Sequence, residues 1–134
     1  MADVKKDNKD TKYMVAENAG SGVIQIADDV VSSIVGLAVT EVDGVARLTG
    51  DISRELVAKL GKKNLSKGVV VSYEDAEDGS KKVRVTTSIQ IKFGYNILEV
   101  SANVQEKVKT ALLTMTGLEC LTVNVKVSGI EFGE

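Results

Sequence analysis

The chain has 134 residues, of which 27% are charged and 43% are apolar, a composition typical of one globular domain. Its net charge of −2 provides no overall attraction to nucleic acid or to anionic lipid, so either partner would need a local patch. Histidine is absent and the only cysteine is Cys120, which excludes an internal disulfide and the usual zinc-binding sets.

Residues 1–18 are polar and mixed in charge, with few large apolar side chains. Such a segment buries too little apolar surface to offset the entropy lost on ordering, so we predict a disordered tail followed by a single domain over residues 19–134. Neither an apolar signal segment nor an uncharged apolar run of about 18 residues is found. We therefore expect a soluble, cytoplasmic protein.

The first half of the domain predicts short elements. Residues 23–26 read as a short extended piece, and apolar residues then recur at helical spacing over residues 27–38. Within this helix, Gly36 costs roughly 1 kcal/mol relative to alanine. The sequence further predicts a short strand over residues 45–48 after a turn, and a short helix over residues 51–60.

Two alternating segments predict a β-hairpin. Apolar and polar residues alternate over residues 69–73 and again over residues 83–93, which is the pattern of half-buried strands. Between them, Asp78 and Gly79 form a dipeptide that favours a tight turn.

A helix and a third strand follow. Asn96 is a suitable N-cap, and Gly117 stands where a helix end favours a left-handed residue. Alternation resumes over residues 121–127, and two strands joined through a helix are most simply parallel. The predicted apolar stripe of the helix comprises Ile97, Val100, Val104, Val108, Ala111, Leu112 and Met115.

These elements predict an α+β fold. Its small mixed sheet combines the hairpin with the strand–helix–strand crossover, and the helices pack on one face.

No residue pattern indicates catalysis. Without histidine, the commonest general base and metal ligand is missing, and Cys120 lacks its usual activator. Cys120 directly precedes an alternating strand, so we interpret it as a small buried hydrophobe. The acidic residues at positions 74–78 lack the spacing of a calcium loop. We predict no enzyme activity, no cofactor and no metal.

A lysine-rich loop provides an alternative function. This segment contains no acid, and the stretch 61–64 resembles the loop by which KH domains clamp RNA, although its second glycine and any stacking aromatic are missing. A KH-like RNA-binding module would use Lys59, Lys62, Lys63 and Lys67.

Six motifs, in order, resemble the alkaline shock protein family of Gram-positive bacteria. They span about residues 20–132, and Phe93 stands where that family usually has tyrosine. The motifs are GVIQI at residues 22–26, VDGV at 42–45, KGVVV at 67–71, FGYNI at 93–97, MTGL at 115–118 and VNVKVSGI at 123–130.

The resemblance implies a cell-envelope stress-response protein that acts as a cytoplasmic adaptor or scaffold. Some members of that family are held at the membrane by a small integral-membrane partner, so the resemblance also implies a protein partner, either such an anchor or related family members, and we expect that the chain can self-associate. The lack of a long apolar run predicts no direct membrane insertion. It supplies no established site residues.

Within this interpretation, we predict partner contacts at Gly94, Tyr95 and Asn96, and at Gln105. Each residue other than Tyr95 also has a structural explanation: Gly94 as a strand terminator, Asn96 as a helix cap and Gln105 as helix surface.

Overall fold

The structure, a computed structural model, describes residues 13–49, 68–77 and 80–133. The predicted α+β class is confirmed, with helices and a mixed sheet. In chain order the elements are β1 (Tyr13–Ala19), β2 (Gly22–Ala27), α1 (Asp28–Thr40), β3 (Val45–Leu48), β4 (Val69–Asp75), β5 (Lys81–Lys92), α2 (Ile97–Thr116) and β6 (Glu119–Glu131).

Strand β5 is the centre of the sheet. It pairs in parallel with β6 along nearly its whole length, from Lys82 to Lys92, as the strand–helix–strand pattern predicted. Since β6 occupies one edge, β3 and β4 share the other. There β4 pairs antiparallel with Lys81–Thr87 and β3 with Ile89–Ile91, so the two short strands lie end to end.

Both helices cover one face of this sheet. The buried cluster joins Val31, Val35 and Val39 of α1 and Val100, Val104, Val108 and Leu112 of α2 to the alternate residues Val83, Val85, Ile89 and Ile91 of β5. Strand β4 departs from simple alternation, because Val70 is buried as well as Val69 and Val71. The core of the described residues is therefore made mainly of valine.

The opposite face of β5 is largely polar. Arg84 Nε lies 2.9 Å from Glu74 Oε1, and Lys82 pairs with Glu119 of the neighbouring parallel strand. Both ion pairs are partly exposed to solvent, so each contributes little to stability. Both pairs lie on the face of the sheet that is turned away from the helices.

Three residues of the predicted apolar helix faces are exposed. Ile97 and Met115 point to the same side of α2 as Val104 and Val108 but are exposed, so the buried part of the stripe runs only from Val100 to Leu112. Val30 of α1 is also exposed. Periodicity gives the direction of a side chain but not whether a neighbouring element covers it.

A strand that was not predicted precedes the predicted extended piece. Strand β1 starts at Tyr13, inside the segment interpreted as a disordered tail, and pairs antiparallel with β2. Its partner is a backbone edge, which composition does not reveal. Residues 1–12, the predicted helix at 51–60 and the Asp78-Gly79 turn lie outside the described residues.

Candidate functional site

The aromatic side chains are distributed in an unusual way. The chain has three tyrosines, two phenylalanines and no tryptophan. Tyr73 packs against the core, whereas Phe93 is 70% exposed and Phe132 is 75% exposed. Phenylalanine is among the residues most often buried, because its ring removes a large apolar area from water. Both phenylalanines of a valine-rich protein therefore lie on its surface.

The parallel register of β5 and β6 brings these two rings together. Lys92 and Glu131 are paired at the ends of the strands, so the residues that follow them leave the sheet at the same edge. The Phe93 backbone N–H donates to the Glu131 carbonyl at 2.8 Å. The ring centroids of Phe93 and Phe132 are 5.3 Å apart with an interplanar angle of 33°, a separation typical of interacting aromatic pairs.

The chain then turns into α2 with further apolar side chains exposed. Gly94 has φ +100°, and the Tyr95 N–H donates to the Lys92 carbonyl at 3.3 Å. Asn96 caps α2, its Oδ1 accepting from the Glu99 N–H at 2.9 Å, which confirms the predicted cap. We call the exposed set at this edge the aromatic end; it comprises Phe93, Tyr95, Ile97, Leu98 and Phe132.

Tyr95 is held by the turn between α1 and β3. Its ring lies against Gly44, where a β-carbon would come within 2.7 Å of Tyr95 Cδ2. The Gly44 carbonyl accepts from the Lys92 N–H at 2.8 Å, so this turn is also tied to the end of β5. One side of the Tyr95 ring thus packs against the backbone of the α1–β3 turn, while the side chain remains about half exposed to solvent.

Three of the four predicted contact residues lie at the aromatic end. Gly94, Tyr95 and Asn96 are there, but Gln105 lies nine residues beyond Asn96 along α2, about 13 Å away at 1.5 Å per residue. The Gln105 side-chain amide donates to the Val123 carbonyl of β6 at 3.0 Å. The structure therefore does not bring the four residues into one site, and Gln105 has a structural role at the sheet.

Sequence reasoning missed Phe132. The signal that identifies it is the predicted parallel pairing of two strands, each followed by a phenylalanine, since parallel strands end at the same edge of a sheet. The strand was predicted to end near residue 127, whereas β6 continues to Glu131.

One ion pair lies next to the aromatic end. Arg47 of β3 donates to Glu131 Oε1 at 3.1 Å and to Gln90 Oε1 at 3.1 Å. This exposed pair borders Phe132 in sequence and leaves the apolar surface flanked by polar groups.

Two buried or partly buried titratable groups of the described residues have raised pKa values. Cys120 is buried as predicted, and burial raises the pKa of its thiol. Burial, and secondarily the nearby Asp28 carboxylate, raise the pKa of Tyr73 well above its ordinary value. Among residues 13–49, 68–77 and 80–133, no three Cys, Asp or Glu side chains converge as metal ligands would.

The lysine-rich loop of the alternative interpretation is not covered by the structure. Lys59, Lys62, Lys63 and Lys67 all lie outside the described residues. The RNA-binding hypothesis therefore stays a prediction.

No described helix combines the length and the apolar composition that crossing a membrane requires.

Comparison with known proteins agrees with the motif resemblance. The chain is 38% identical over 127 residues to the protein YqhY of Bacillus subtilis (strain 168), covering 95% of this chain and 90% of that protein. It is 35% identical over 116 residues to Spy1614 of Streptococcus pyogenes serotype M6, covering 85% and 92% of the two chains.

A named relative is the stress response regulator gls24 homolog of Streptococcus pyogenes serotype M3. The identity is 31% over 114 residues, covering 84% of this chain and 61% of the relative. No solved structure matches this chain significantly. The family model of the alkaline shock proteins, described as having a cell envelope-related function, matches residues 16–132, so the expected resemblance is confirmed. The chain belongs to the alkaline shock protein family, whose function relates to the cell envelope.

Proposed function

We propose that this protein is a non-enzymatic adaptor of the cell-envelope stress response, which docks on a protein partner through the aromatic end. One observation carries the proposal: both phenylalanines of the chain are exposed and in contact with each other at the edge where β5 and β6 end. Family membership supports the envelope context.

Burial of the exposed aromatic surface against a partner supplies binding free energy in this proposal. Large apolar side chains grouped on a surface mark interaction sites, and aromatic side chains are enriched among the few residues that dominate binding energy. Phe93 and Phe132 present their rings side by side, and the Arg47–Glu131 pair supplies a polar neighbour. An apolar centre beside paired charges is the usual anatomy of a protein interface.

In this proposal the protein acts in the cytoplasm, and its partner connects it to the membrane. A small integral-membrane protein with a short cytoplasmic segment fits this role, because the aromatic end consists of five exposed apolar side chains. Self-association of the chain through the same surface is an alternative that the experiment below distinguishes.

The test is affinity capture from membrane-solubilised native cells. We expect the parent chain to recover a membrane protein, and the Phe93→Ala/Phe132→Ala double variant to recover at least about thirtyfold less, since loss of a hot-spot aromatic costs roughly 2 kcal/mol or more. Leu113→Ala is the matched control, because Leu113 is 60% exposed but lies at the opposite end of α2.

Three results count against the proposal. Equal recovery by the parent and the double variant removes the aromatic end from the interface. Recovery of an untagged copy of this chain, without a membrane protein, favours self-association. Recovery of RNA that disappears on nuclease treatment, and on charge reversal of Lys62 and Lys63, favours the KH-like alternative, because phosphate contacts depend on those charges.

A further inference from the structure

Helix α1 is apolar on two sides. Val31, Val35 and Val39 face the sheet and are fully buried. Val30, Ile34 and Leu37 form a second row at steps of four and three on the side of the helix next to α2; Val30 and Leu37 are exposed, and Ile34 is partly packed against the core. The apolar face of α1 is therefore wider than the part of it that the sheet covers.

The second row forms one wall of a groove between the helices. The groove has a volume of about 480 Å³, and its other wall is built from Ala111 and Met115 of α2. Leu37 is 63% exposed and Met115 is 67% exposed, so the apolar walls are open to solvent. Grooves of this kind between two helices receive a third helix, whose apolar side chains pack between the existing ridges.

Carboxylates stand at both ends of this groove. Asp29 lies at the start of α1 and Glu41 directly follows its end, twelve residues or about 18 Å apart along the helix. Lys107 is the basic residue of the lining, and its Nζ lies 3.6 Å from Glu41 Oε1. The lining therefore carries a net negative charge.

We propose that the groove is a second docking site, for an amphipathic helix of about three turns supplied by a partner protein. Apolar side chains at steps of three and four enter the groove, and lysine or arginine at each end of the helix meets Asp29 and Glu41. The proposal rests on the adaptor role but uses a different surface from the aromatic end. A second copy presenting the same face would bring two negative rims together, which disfavours that occupant.

The test uses a synthetic peptide and the full chain. The peptide has about twelve residues, matching three helical turns, with leucines at steps of four and three and a pair of lysines at each end. It is titrated into isotope-labelled protein while NMR shifts are followed. We expect shifts at Val30, Leu37 and Met115, and affinity roughly tenfold higher than for the same peptide with glutamate ends, because the rim charges then repel.

Two variants make the test specific. Leu37→Gln replaces an exposed apolar side chain of the groove and should weaken peptide binding at least about tenfold, whereas Leu113→Gln, outside the lining, should leave it unchanged. Phe93→Ala/Phe132→Ala should also leave it unchanged, so failure of the aromatic-end proposal and failure of the groove proposal give different results.

Other outcomes overturn the inference. Equal affinity of the lysine-ended and glutamate-ended peptides would show that the rim carboxylates do not contribute to binding. NMR shifts confined to residues outside the groove would show that the peptide binds elsewhere. Self-association of the chain that Leu37→Gln abolishes would make a second copy the occupant.

Discussion

Gly44 connects the aromatic end to the rest of the fold. Its φ is +98°, a conformation that side chains rarely adopt, and a β-carbon there would lie 2.7 Å from Tyr95 Cδ2 and from Val100 Cγ2. The residue therefore meets two separate requirements, one of backbone conformation and one of space. Both follow from the close approach of the α1–β3 turn to the start of α2.

We expect Gly44→Ala to lower the free energy of unfolding by about 3 kcal/mol, from the left-handed conformation and from overpacking together. Urea unfolding monitored by circular dichroism measures the loss. Gly94→Ala is the matched control, because Gly94 has φ +100° but a β-carbon there meets nothing within 4 Å. The control should lose only about 1–2 kcal/mol. Equal losses in the two variants would show that the Tyr95 and Val100 contacts are unimportant.

At the scale of elements, α1 contains a residue that disfavours helix formation. Gly36 lies in its second half and is buried, and glycine is the least favourable residue for a helix interior apart from proline. The sequence predicted a helix over residues 27–38 despite this cost, and the structure continues the helix to Thr40. Packing of its buried row against the sheet offsets the poor propensity.

Gly36→Ala should raise the free energy of unfolding by about 0.5–1 kcal/mol. A β-carbon at Gly36 would lie 3.4 Å from Leu48 Cδ1, an ordinary van der Waals contact with the end of a side chain. Thermal and urea unfolding of the two proteins measure the difference. A destabilised variant would mean that α1 and β3 are too closely packed to accept one methyl group.

Local chemistry made α2 the most predictable element. The Asn96 cap and the left-handed Gly117, with φ +77°, both follow from residues within one turn of the helix ends. The hairpin of β4 and β5 and the parallel β6 were also predictable, since alternation and the connecting helix define them. The exposure of Ile97 and Met115 was not predictable, because it depends on where a neighbouring element stops.

At the scale of the whole molecule, non-local pairing limited the prediction. Strand β1 forms because β2 offers a backbone edge, and nothing in the composition of its residues indicates this. The contact between Phe93 and Phe132 depends on the register of two strands separated by α2. Most of the predicted contact set was placed together by the turn after β5, whereas Gln105 was separated from it by the geometry of the helix.

The stability of the whole fold should fall in strongly alkaline solution. The pKa of Tyr73 is raised when the chain is folded, so the folded state favours the neutral phenol. This contribution is fully present below the ordinary tyrosine pKa of about 10 and is lost as the pH rises above it.

Tyr73→Phe should therefore reduce the dependence of unfolding free energy on pH above about 10, by at most about 1.4 kcal/mol per pH unit. Urea unfolding at a series of pH values measures the slope. Tyr13→Phe is the control for removal of one tyrosine hydroxyl, because Tyr13 is exposed. Parallel slopes for Tyr73→Phe and the parent would show that Tyr73 does not titrate with unfolding.

The central position of β5 determines when this protein is able to fold during its synthesis. Strands β3 and β4 leave the ribosome before β5, yet each has β5 as its partner in the sheet. The other edge of β5 is completed only when β6, which follows the whole of α2, has also emerged. Until β5 has emerged, β3 and β4 of the nascent chain therefore lack their partner strand, and the buried row of α1 lacks the sheet that covers it. During that interval this apolar row is accessible to chaperones.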